Sequence, residues 1–301
     1  MRRLLLAAAL LVTVIGCGSP EPAPYWTVEA TTDEQVFEVL TQARSVEACA
    51  LLPRAELAEL GTPGPDQLRR TEGCEVKLET PAGQGSFRLL VVAGIFDGTW
   101  GIVPDASESV TVDGATLTTV DDSRSDGTAP DGERWCRVDV KYPASVGYQV
   151  SLYLPAGSDP CPAAERLARA AMSRWVEQPP HGTTPGLPRS ILTGVDPCAV
   201  PASLGATIEA DQQQLGACSF TLDGTAGGFL FDYFTEAGFA EGRRDDRGRY
   251  ILPDGPALMK GQLGPVFGTG DDGPLVPAVL VGGDTPTSHR IMNALLDHFQ
   301  R

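Results

Sequence analysis

Apolar and polar residues alternate along several stretches of the first half of the chain. Cys74, Val76 and Leu78 fall on one side of an extended segment. So do Cys136, Val138, Val140 and Tyr142, and likewise Tyr148, Val150, Leu152 and Leu154. A period of two marks a strand with one buried face. Ser86–Ala93 is almost continuously apolar and predicts a buried strand, while Thr111–Val120 alternates weakly. Two stretches follow the helical period instead. Leu167, Ala168, Ala171, Met172 and Trp175 form one stripe; Ile291, Met292, Leu295, Leu296 and Phe299 form another. Near the start, Asp33 is placed to cap a helix carrying Val36, Phe37 and Leu40. Pro53 suits the first position of a shorter helix with Leu57 and Leu60 on one face and Gly61 just past its end. Gly227–Phe234 and Pro274–Val281 predict further strands, and the Gly-rich segment 264–273 a hairpin loop. Strands clustered between helices predict an α+β fold, with helices on one face of an antiparallel sheet and the other face partly solvated.

The pattern occurs twice. Val46–Pro53 parallels Val195–Pro201, each with a cysteine (Cys49, Cys198) followed by a helix-like piece and a glycine (Gly61, Gly205). Each then reaches a second cysteine that opens a strand, Cys74 and Cys218. The terminal helices, Glu165–Trp175 and His289–Phe299, align without gaps. A tandem duplication is therefore predicted, with domains over 25–176 and 190–301. Residues 177–189 hold four prolines and two glycines, a semi-rigid linker. Six cysteines allow 15 pairings, and the repeat chooses among them. A self-contained second copy must pair Cys198–Cys218; its counterpart is Cys49–Cys74, which leaves Cys136–Cys161.

The seventh cysteine belongs to a different pattern. Arg2 and Arg3 precede an apolar run, Leu4–Val14, of signal-peptide length and too short to span a bilayer. The run ends at Val14, Ile15, Gly16 and Cys17, which resembles a bacterial lipobox. Residues 1–16 are expected to be removed, Cys17 to carry the lipid, and the Pro-rich stretch 17–24 to act as a tether. The expected location is the extracytoplasmic face of the cell membrane, where disulfides form.

Composition narrows the function classes. The chain has 301 residues, 42% of them hydrophobic, and a formal net charge of −16. A globular core is affordable, and a nucleic-acid partner is excluded because phosphate neutralisation needs a basic surface. The search for catalytic chemistry returns little. His181 lies in the linker, His298 near the chain end, and His289 at a solvent position; no G-x-S-x-G elbow or phosphate loop is present. Residues 121–133 partly match a calcium loop, but Arg124 stands where a ligand oxygen belongs and a strand follows. The pairs Asp105/Glu108 and Asp245/Asp246 are unremarkable in so acidic a chain, and a mixed charge run, Arg243–Arg249, has the composition of a solvated turn. Trp135 and Trp175 are expected in the core, and Trp100, beside Gly98 and Gly101, to stack on a ligand. No cofactor or metal is implied.

The lipobox, the tether, the V-D-P-C opening at Val195–Cys198 with its variant at Val46–Cys49, and the closing Asp159–Ala168 segment together resemble actinobacterial surface lipoproteins of a domain-of-unknown-function family. The resemblance covers most of residues 45–301, although the second copy lacks a counterpart of Cys136 and Cys161. It implies a lipid-anchored envelope protein, with sensor or lipid-binding modules as analogues, and supplies no catalytic residues. The expectation is a noncatalytic binding module for a small hydrophobic ligand or an envelope protein, acting between the copies or over an open sheet face. The alternatives are an envelope hydrolase using carboxylates and a structural spacer.

Overall fold

The structure, a computed structural model, describes residues 23–94, 108–121, 133–240, 243–244, 250–251, 258–270, 273–283 and 285–300. Cys17, Trp100, Asp105 and the greater part of the acidic loop 121–133 lie outside these residues.

The described residues form two antiparallel sheets with helices. The first half begins with α1 (Asp33–Arg44) and α2 (Arg54–Leu60). The strands follow: β1 (Thr62–Pro63), β2 (Gln67–Arg69), β3 (Gly73–Thr80), β4 (Gly83–Ala93), β5 (Glu108–Val112), β6 (Ala115–Asp121), β7 (Glu133–Tyr142) and β8 (Val146–Pro155). Helix α3 (Cys161–Glu177) closes the half. The strand order is β1-β3-β4-β8-β7-β6-β5, with β2 pairing β3. Cys74, Val76 and Leu78, Phe87 and Leu89, Val138 and Val140, and Tyr148 to Leu152 in alternation are all buried against α1, α2 and α3.

Trp175 on α3 is the centre of this core. It stacks on Tyr142 (ring centroids 5.7 Å apart) and lies edge-on to Trp26 (6.4 Å). Tyr148 Oη donates to the Ala168 carbonyl (2.7 Å), so the buried phenol is satisfied by the helix it packs on.

The second half contains α4 (Ala199–Ser203), β9 (Ala217–Leu222), β10 (Thr225–Thr235), α5 (Glu236–Phe239), β11 (Arg243–Arg244), β12 (Tyr250–Ile251), β13 (Leu258–Gln262), β14 (Phe267–Gly270), β15 (Gly273–Gly282) and α6 (Pro286–Phe299). Its order is β11-β12-β13-β15-β10-β9, with β14 pairing β15. A hairpin, the last strand and one further strand lie side by side in both sheets, β3-β4-β8-β7 and β9-β10-β15-β13, although β14 intervenes in the chain between β13 and β15. In both, the last strand leads into the closing helix. Ile291, Met292 and Leu295 of α6 bury against Phe229, Phe231 and Val279. A Cβ at Gly261 would lie 2.6 Å from Met292 sulfur, so glycine there lets α6 sit close to β13.

Several local expectations need correction. The cap of α1 is Thr32, not Asp33: Thr32 and Gln35 form a reciprocal capping box, and Asp33 occupies the first turn. The helix buries Val39, Leu40 and Ala43, whereas Phe37 stays 36% exposed. Pro53 is the residue before α2 rather than its first. The Gly-rich segment 264–273 is not simply a loop, because Phe267–Gly270 pairs with β15. Trp135 is not core. It alternates with Cys136, lies opposite Tyr153, and so sits half-buried on the outward face of the sheet.

Disulfides join Cys49–Cys74, Cys136–Cys161 and Cys198–Cys218, with Cα atoms 5.0, 5.0 and 5.2 Å apart. Each ties a helical segment to a strand. Structural cystines are a signature of an oxidising compartment. No helix among the described residues is long and apolar enough to cross a membrane.

Candidate functional site between the two sheets

The segment after α3 is bonded to the first half rather than free of it. Glu47, buried, accepts hydrogen bonds from the backbone N–H groups of Gly182 and Thr184 (2.7 Å for Thr184), and its own N–H donates to the Pro179 carbonyl (2.8 Å). His181 Nε2 is 2.7 Å from the Arg44 carbonyl oxygen, so this linker histidine has a structural partner. Arg44 reaches the other way. Its Nε donates to the Leu215 carbonyl (3.1 Å), and its terminal nitrogen pairs with Asp196 (3.2 Å). Desolvation lowers the Arg44 pKa and Asp196 opposes that shift. Leu215 itself belongs to the core of the first half.

These contacts bring the edge of the first sheet against β10 and the β14–β15 hairpin. The result is a cavity of about 240 Å³. Gln67, Arg69, Arg70 and Glu75 supply one wall; Asp232, Tyr233 and Thr235 of β10 supply another; Gly270 and Leu275 close it. Arg70 stands in the turn from β2 to β3 with φ 59°, a left-handed conformation that non-glycine residues seldom adopt. The turn is tight because Arg69 and Gly73 are cross-strand partners, and a Cβ at Gly73 would lie 2.2 Å from the Arg69 carbonyl oxygen.

Charges of both signs converge here. The Glu75 side chain is only 2% exposed and is ringed by Arg69 (3.4 Å), Lys77 (3.1 Å) and Arg88 (3.2 Å). A buried carboxylate is tolerated when cations surround it. Asp232 has its pKa raised by desolvation, opposed by the Tyr233 N–H that it accepts (2.7 Å) and by Arg70 and Arg69. The Tyr233 hydroxyl lies 2.9 Å from Ser190 Oγ, and its pKa is pushed up to about 12, mainly by desolvation.

Next to the cavity, Glu72 lines a small crevice with Arg44, Thr71, His181, Gly194 and Gly216. Desolvation, reinforced by Asp232, raises its pKa to about 7 against the pull of the Thr71 hydrogen bond and Arg70. A Cβ at Gly216 would lie 2.7 Å from the Glu72 carboxylate, so the second half approaches this side chain through a glycine.

Apart from His181, none of the residues lining the cavity and crevice stood out in the sequence. Glu75 is the polar phase of an alternating strand, and Asp232 interrupts an aromatic run without forming a motif. The cavity joins β2 to β10, which no local pattern connects. Among the described residues no group of three or more His, Cys, Asp or Glu side chains could hold a metal ion. His289 and His298 both lie on α6. No family model matches the chain, and no curated protein or solved structure is significantly similar to it.

Proposed function

We propose that the chain is a noncatalytic, lipid-anchored envelope protein of two tandem α+β domains that binds a small ligand between them. The single observation behind the binding reading is the mixed-charge cavity of about 240 Å³ at the junction. Its lining of Arg69, Arg70, Asp232, Tyr233 and Gln67 suits a small polar molecule bearing both charge signs better than a hydrophobic one. The tandem reading is supported by the common strand order of the two sheets. The anchor at Cys17 and the likeness to actinobacterial surface lipoproteins rest on the lipobox and the V-D-P-C segments.

A second reading, an envelope hydrolase, is favoured by one observation: Asp232 and Glu75 line the same cavity. Glycoside hydrolysis characteristically uses two carboxyl groups held in different environments, one as acid and one as base or nucleophile. The test is native mass spectrometry of the exported full chain and its Asp232→Asn variant, with glycoside and ester hydrolysis assays alongside. A small-molecule adduct on the wild type that Asp232→Asn loses, without turnover, supports binding. Turnover that Asp232→Asn abolishes overturns it in favour of the hydrolase.

A further inference from the structure

The outward face of the first sheet carries a second constellation, beside the cavity. Ser151 on β8 has Arg88 of β4 as its cross-strand partner on one side and Arg137 of β7 on the other. Helices α1, α2 and α3 pack on the opposite face. Along β8, Gln149 and Tyr153 flank Ser151 on the same face, because side chains two apart point the same way. Adjacent strands lie about 4.8 Å apart, so two arginines flank one serine.

Each guanidinium carries five N–H donors and no acceptor. Acceptors on this face are nearly used up. Glu75 already serves Arg69, Lys77 and Arg88. Asp139 gives one oxygen to Gln149 Nε2 (2.7 Å) and the other to Arg137 (3.4 Å). Arg88 leans over the Tyr153 ring (4.7 Å to its centroid) and reaches its hydroxyl at 3.4 Å. After this, Nε of Arg137 is buried without a hydrogen-bond partner, while Nε of Arg88, equally buried, has only the Glu75 carboxylate at 3.2 Å, an ion pair without hydrogen-bond geometry. Arg137 is the more enclosed, with 11% of its side chain exposed; Arg88, 33% exposed, is open to solvent. Buried donors are normally satisfied, and an orphan of this kind calls for an acceptor.

We propose that Arg88, Arg137 and Ser151 form a binding site for a small oxyanion. The orphaned Arg137 N–H and the solvent-facing end of the Arg88 guanidinium supply the charge-assisted bonds, the serine hydroxyl a third donor, and Tyr153 and Trp135, partners on adjacent strands, an aromatic flank for whatever carries the anion. Phosphate, sulfate and carboxylate groups share this chemistry. The site adjoins the cavity through Glu75, which pairs with Arg88 and lines the cavity, but its anion is a different ligand from the one proposed above.

The test is calorimetric titration of the full chain in detergent with inorganic phosphate, sulfate and acetate separately, at constant ionic strength with chloride as the balancing anion. The expected result is saturable binding of one anion per chain, and the order of the three affinities distinguishes a phosphate or sulfate ligand from a carboxylate. The double variant Arg137→Gln/Asp139→Asn removes the pair without orphaning a carboxylate and is expected to weaken binding about tenfold or more. Ser151→Val keeps both arginines and is expected to weaken it severalfold. Arg290→Gln, at an exposed ion pair with Asp223, serves as the control and leaves affinity unchanged. The proposal is overturned by the absence of saturable binding for all three anions. It is overturned equally by binding that neither the Ser151→Val nor the double variant alters, which would mean an adventitious ion only.

Discussion

Glu72 is the side chain that ties the junction to pH. Its pKa is about 7 in the folded chain against an ordinary 4.5, so folding favours the protonated form. The stabilisation is complete below the ordinary value and is lost as pH rises through the folded one. By linkage that difference corresponds to roughly 3 kcal/mol. Glu72→Gln presents a permanently neutral side chain that still accepts from Thr71. We expect the variant to be more stable than the wild type above neutrality and to lose most of the pH dependence of Tm between about pH 5 and 8. Chemical denaturation across that range checks it; parallel curves for the two proteins would show that Glu72 is solvated. Thr71 and Glu72 sit in a turn whose sequence signals nothing. Gly216, far along the chain, packs against the Glu72 carboxylate, which is why the sequence did not disclose the burial.

At the scale of elements, patterning was legible wherever one face is buried against helices. The alternation at Cys74–Leu78, Cys136–Tyr142 and Tyr148–Leu154 and the stripes of α3 and α6 correspond to buried faces in the structure. The three disulfides join the cysteines that the repeat pairs. Legibility failed where two phases compete. In α1 the adjacent apolar pair Val36 and Phe37 suggested a face that includes Phe37, whereas Val39 and Ala43 are the buried neighbours of Leu40. Trp135 was assigned by residue type although its strand phase, opposite to Cys136, already placed it outward. The same helix yields a prediction. The Thr32–Gln35 capping box satisfies N–H groups that α1 leaves free at its exposed N-terminus. Thr32→Ala is expected to cost about 1 kcal/mol in urea unfolding, and Thr32→Ser to cost much less. Equal losses for both would assign the effect to the threonine methyl group instead.

For the whole molecule, the decisive feature is that one residue crosses between two otherwise separate cores. Leu215 lies between the two cysteines of the second half, yet it is buried in the hydrophobic cluster of the first. Its backbone carbonyl is held by Arg44 at the end of α1. The neighbouring Gln213 is fully buried; its amide bonds Glu209 and Ser219, and its backbone oxygen sits where a Cβ on Gly94 would be only 2.1 Å away. With Glu47 binding the segment after α3, the junction is anchored at both ends. Two units coupled this way should unfold together. Calorimetry of the full chain is expected to show one transition. Leu215→Ala removes the plug at a cost of about 2–5 kcal/mol, and because the loss falls on the junction, it should split the transition into two, each half keeping its own disulfides and helices. Two transitions already present in the wild type would mean that the contacts around Leu215 and Arg44 do not couple the halves. The cavity walls at Arg69–Arg70 and Asp232–Tyr233 would then be free to part, and its ligand would be bound by closure rather than in a preformed site.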